Sequence, residues 1–161
     1  MSAEFTWKES NGSGEDESTI TNINFGSNDS PNLNVSNYPI LSGESSFEKY
    51  IRCLFTGSWT EISNMKFWKS AGDYISGESI KADVNVIYVQ PSETPNADDD
   101  IPTDEGSALV VKSAEDEDTI VYGETGVSGY TGYIRLQIQT TGSVPAGSLS
   151  TKAYIFQYDE V

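Results

Sequence analysis

From Tyr130 to Thr141 the chain alternates with period two: Ile134, Leu136 and Ile138 on one side, Arg135, Gln137 and Gln139 on the other. Successive side chains of a strand point to opposite faces, so this run reads as a half-buried strand. Thr151–Tyr158 repeats the pattern, with Ala153, Ile155 and Gln157 set against Tyr154, Phe156 and Tyr158. Between the two, Gly142, Pro145 and Gly147 predict a hairpin-like connection. Ala82–Gln90 is a third strand, with Val84, Val86 and Tyr88 on one face and Ile87 and Val89 on the other; Pro91, which cannot donate to a ladder, closes it. Shorter runs predict strands over Phe5–Lys8, Ser18–Phe25, Tyr38–Leu41, Ile62–Trp68, Leu109–Lys112 and Thr119–Tyr122.

Ser45-Ser46-Phe47-Glu48 has the form of a helix capping box, and Phe47, Ile51, Leu54 and Phe55 follow at helical spacing. Ile51, Cys53 and Phe55 also alternate with Arg52 and Leu54, and Gly57 ends the run early, which favours a strand. With 13 Ile and 10 Val against 6 Leu, 8 Ala and 2 Met, β-branched side chains dominate, and these fit a pleated surface better than a helix. Many short strands without strand–helix alternation predict one antiparallel β-sandwich or jelly-roll-like domain with long acidic loops. Residues 18–161 form that domain on this reading, and 1–17 are an N-terminal arm and linker. Asn11–Ser18 and Ser92–Ser107, rich in turn formers and acids, read as excursions from the core.

Charge narrows the function. Nine Lys+Arg against 25 Asp+Glu give a net charge of −16, which disfavours nucleic acid and anionic membrane partners. There is no His, which removes Ser-His-Asp, Cys-His and His-ligated metal chemistry. Cys53 is the single cysteine, so no intrachain disulfide forms; without a His partner, and with Arg52 on the opposite face, it reads as an inert buried thiol. The Met1–Lys8 segment lacks the basic and apolar regions of a secretion signal, and no run approaches a membrane span, so assembly in a reducing cytoplasm is expected. Sequons at Asn11, Asn28 and Asn34 carry little meaning in so Ser/Thr/Asn-rich a chain.

Candidate chemistry is sparse. The acidic groups Asp98, Asp99, Asp100, Asp104, Glu105 and Glu115, Asp116, Glu117, Asp118 could supply oxygens to calcium, but no EF-hand loop is present and solvated loops explain them as well. A glycosidase would need a defined carboxylate pair, and none stands out among so many acids. Gly126–Gly132 leads into a strand rather than a helix, which makes it a turn and not a phosphate cradle. Trp59, Trp68 and Tyr74 raise a carbohydrate-binding module; Trp68 reads as core, and Trp59, after Gly57-Ser58, as exposed. No cofactor is implied.

Several segments together resemble small β-rich proteins of tailed-bacteriophage particles. They are Ile20–Gly26, Tyr38-Pro39-Ile40, Ser46–Arg52, Ile62–Trp68, Ile134–Ile138, Pro145-Ala146-Gly147 and Phe156–Glu160. The resemblance implies a non-enzymatic virion structural protein, a capsid decoration or accessory protein made in the host cytoplasm. Its partners would be the major capsid protein, other virion proteins and further copies of itself. Tail or neck placement and a carbohydrate-binding module are the alternatives. Phe5, Trp7 and Trp59 are the expected interface residues. Phe5 and Trp7 are expected on an apolar arm, Ser2–Glu9, that docks on a neighbour, unless the segment is instead the first strand of the sandwich.

Overall fold

A computed structural model describes residues 2–145, 147 and 149–161. The domain is all-β, with two antiparallel sheets packed face to face. Its strands are β1 (Ala3–Asn11), β2 (Asp16–Thr19), β3 (Lys49–Gly57), β4 (Glu61–Ala71), β5 (Glu78–Val86), β6 (Leu109–Val110), β7 (Ile120–Val121), β8 (Tyr133–Thr140) and β9 (Ala153–Glu160). One sheet runs β2-β1-β3-β8-β5. The other is built on β4, with β9 along one side and the short β6 and β7 along the other.

The core lies where the inward parities of both sheets meet. Ile51, Cys53 and Phe55 of β3, Ile80 and Ala82 of β5, and Ile134, Leu136 and Ile138 of β8 face Ile62, Met65 and Phe67 of β4. The alternation in β3 and β8 is what the sequence pattern predicts. The capping-box segment forms no helix; its second residue, Ser46, instead accepts from the Ile138 amide through its hydroxyl at 3.1 Å, tying the approach to β3 to β8. Trp68 is buried, as expected.

Several expectations need correction. The N-terminal arm is a strand of the sandwich: Ala3 to Ser10 pair residue by residue with Gly57 to Tyr50 of β3. The supposed linker is a tight β1–β2 turn, in which Gly12 and Glu15 take positive φ and Asn11 pairs with Asp16. The boundary at residue 17 therefore divides nothing. Ser18–Phe25 contributes only the end of β2, and Tyr38–Leu41 is not a strand. Residues 20–44 form an irregular flap, punctuated by Pro31 and Pro39, in which Gly26 lies so close to Tyr38 that an added Cβ would sit 2.6 Å from its carbonyl oxygen.

β8 and β9 do not form a hairpin; they belong to different sheets, and the Gly142–Gly147 connection crosses between them. β5 begins and ends earlier than the Ala82–Gln90 reading, because β8 stops offering partners after Tyr133 pairs with Val86. The Ser92–Ser107 excursion is not simply an exposed loop. Asp99 and Ile101 hydrogen-bond along β5, and Ala97 and Ile101 are buried.

Candidate functional site

The segment at 99–101 covers the outer edge of β5, whereas β9 keeps one side open. Among the described residues, β9 pairs with β4 alone. Its Tyr154, Phe156 and Tyr158 turn inward, while Ile155 is 40% exposed. Across the mouth of the sandwich lies the N-terminal half of β1. The Phe5 ring sits 6.0 Å from that of Phe156, and Trp7 lies 5.4 Å from Phe156 and 6.0 Å from Phe67. Phe67 stacks on Tyr154 with centroids 5.6 Å apart and an interplanar angle of 12°. These rings floor a cleft of about 1070 Å³.

The flap at 20–44 makes one wall, through Ile23, Phe25 and Ile40, and the β8–β9 connection makes the other, through Val144 and Leu149. The flap holds its place by backbone bonds from Ser27 to Tyr38 and from Phe47 to Gly26. In a chain with 25 acidic residues, no Asp or Glu among the described residues lines this cleft. Its one cation, Lys152, is neutralised by buried Glu78 at 2.7 Å. Burial pushes the Tyr154 hydroxyl up, with Tyr74 and Glu78 adding to the shift, so this wall stays uncharged as well. Such a surface admits apolar, extended material and offers nothing to a charged substrate.

Two of the three expected interface residues, Phe5 and Trp7, line this cleft, although as strand residues rather than arm residues. Trp59 lies elsewhere. It is half-buried between Phe55, 6.2 Å away, and Tyr122, 4.9 Å away and inclined at 62°, so it presents no flat platform for a sugar ring. Four of the nine residues in the acidic groups have local partners. Asp104 caps the 3-10 turn Glu105–Ser107, Glu105 lies 3.5 Å from Lys66, Asp100 2.8 Å from Lys81 and Asp118 2.9 Å from Lys112. Among the described residues no three acidic or sulfur ligands converge on a metal position. Cys53 is fully buried, and burial raises its thiol; Arg52 points the other way, onto Tyr130 at 4.0 Å.

Sequence reasoning did not find the cleft, yet a signal for it exists. Residues 125–158 contain no acidic residue and 20–42 contain only Asp29, and these two stretches build the walls.

No protein family, curated protein or solved structure matches this chain.

Proposed function

We propose that this protein is a non-enzymatic structural component that docks by strand addition, taking an extended apolar segment of a partner protein along the open side of β9. The observation that carries this reading is the coincidence of an unpaired strand edge with an acid-free aromatic cleft on a strongly acidic domain. Main-chain hydrogen bonds to β9 would supply affinity, and alternate side chains entering the cleft would supply selectivity. At about 1070 Å³ the cleft stands at the upper end of small-molecule sites, which favours a peptide segment over a compact ligand. The net charge of −16 keeps copies apart until an apolar anchor overcomes the repulsion. This agrees with the decoration or accessory role on a phage capsid that the sequence resemblance implies, with tail or neck as the variant placement.

The test uses Ile155→Asp, which puts a carboxylate at the rim without touching the core. Peptides selected from a random library on the immobilised wild-type protein should alternate apolar and polar residues and bind the variant at least tenfold more weakly, at unchanged Tm. Peptides without alternation, or binding both proteins equally, would refute docking at β9. Quantitative mass spectrometry of purified particles checks the setting. A decoration protein approaches the copy number of the capsid protein, a tail component is scarce, and a free binding module is absent.

A further inference from the structure

The other end of β1 holds a buried polar cluster that the docking reading does not use. Glu9 and Lys49 are fully buried and 2.8 Å apart, and Asn11 is buried beside them. All three sit at core parity: Glu9 pairs with Ile51, and one step past the Ser10–Tyr50 pair the register sets Asn11 opposite Lys49. Glu9 Oε1 accepts from Lys49 Nζ at 2.8 Å and from Asn11 Nδ2 at 2.9 Å. Asn11 Nδ2 also donates to Asp29 Oδ1 at 2.7 Å, and Lys49 Nζ donates to the Ser30 carbonyl at 2.8 Å. One carboxylate oxygen thus touches both an amine and an amide nitrogen, holding them within about 6 Å of each other. Two acceptors in the cluster have no donor, Glu9 Oε2 and Asn11 Oδ1.

We infer that Lys49 and Asn11 form an intramolecular isopeptide bond, with Glu9 as the proton shuttle. Glu9 takes a proton from the Lys49 ammonium, and the freed amine attacks Asn11 Cγ. As the Cγ–Nδ2 bond breaks, Glu9 gives its proton to the departing nitrogen and takes up the one shed by the attacking nitrogen. An ammonium, a carboxylate and a primary amide become a secondary amide, a carboxylic acid and ammonia, with charge and hydrogens conserved and no oxidant or cofactor required. Bringing the Lys49 amine onto Asn11 Cγ in a dry site is what would let so poor an electrophile react, since effective molarities of about 10⁵–10⁸ M attend intramolecular pairs held about 3–3.5 Å apart. The product also settles the orphaned acceptors: protonated Glu9 supplies a donor that Asn11 Oδ1 lacks, and no buried full charge remains on Glu9 or Lys49. The bond staples β1 to β3 at the end of β1 opposite the Phe5 and Trp7 that floor the docking cleft.

Intact-mass spectrometry of the full wild-type chain, denatured after folding, reads the bond directly as a loss of about 17 Da, the mass of ammonia. A tryptic map should contain one branched peptide joining the segments around Asn11 and Lys49, with cleavage after Lys49 blocked. Glu9→Gln and Lys49→Arg should each keep the full mass. The Asn11-Gly12 pair offers a competing loss of ammonia, as a succinimide. That product would survive in Lys49→Arg and be cut by hydroxylamine, and finding it there would overturn the assignment. So would a wild-type chain of full sequence mass after prolonged incubation in the folded state.

Discussion

Replacing Trp7 by Ala separates a strand of the sandwich from a tethered arm. The Trp7 ring is half-buried and meets three aromatic partners, Phe5 at 6.2 Å, Phe67 at 6.0 Å and Phe156 at 5.4 Å. Truncating a large aromatic in a core costs about 3–5 kcal/mol, part of it from edge-to-face pairs of roughly 0.5–1.5 kcal/mol each. Trp7 keeps some solvent contact at the cleft, so the lower end, about 3 kcal/mol, is the expected loss. For a domain of this size, with a urea slope near 2 kcal/mol per molar, the midpoint should fall by about 1.5 M at unchanged slope. A residue on a solvated arm would cost within about 0.5 kcal/mol. Equilibrium urea unfolding followed by circular dichroism at 218 nm, a wavelength set by strand content, reads the difference. A midpoint shift below about 0.3 M would refute the placement of Trp7 under the cleft.

Alkaline pH should unfold the domain before its buried tyrosines titrate. Burial, reinforced by the hydrogen bond to Glu15, pushes the Tyr133 hydroxyl up to about 12, and burial raises Tyr88, Tyr154 and Cys53 as well. Since the unfolded chain ionises these groups from about pH 9–10 while the folded one keeps them neutral, stability is full below that range and falls as pH rises through 12. Absorbance at 295 nm should therefore step up with loss of the fold; normal titration of these groups in an intact domain would contradict their burial. Gly26→Ala should lower stability by about 1–3 kcal/mol, because the new methyl meets Leu33 and the Tyr38 carbonyl within the flap. An unchanged thermal melt would mean that the flap does not pack as described.

Strands with sustained alternation were legible, and their pairing was not. The in-out pattern of Ile134, Leu136 and Ile138 identifies β8 because one face of that strand is wholly core. The same rule overextended β5. Ile87 and Val89 continue the apolar pattern but are 87% and 61% exposed, since a strand ends where its partner does and the partner is distant in sequence. The β8–β9 hairpin failed for a related reason: turn residues mark where a chain bends, and they do not say which sheet the next strand enters. β4 offers β9 a run from Ile62 to Ala71, broken by bulges, while β8 is already flanked by β3 and β5. The acidic stretch after Asn11 resembled a linker because Gly, Ser and Asp serve tight turns and flexible tethers equally well.

The candidate sites were hidden for opposite reasons. The cleft is defined by missing charge, spread over two stretches far apart in the chain, and a search for reactive residues passes over such an absence. The isopeptide cluster is defined by charge in the wrong place. Phe5, Trp7, Glu9 and Asn11 share one parity of β1, and Lys49, Ile51, Cys53 and Phe55 share one parity of β3, so three polar side chains stand where the alternation calls for apolar ones. Buried ion pairs contribute little net stability, and apolar replacements of similar size are often neutral or stabilising. A fold that needed only packing at this end of β1 would be served as well by leucine and methionine. An amine, a carboxylate and an amide meeting at one oxygen atom are what a covalent cross-strand link requires, and that requirement accounts for all three residues together.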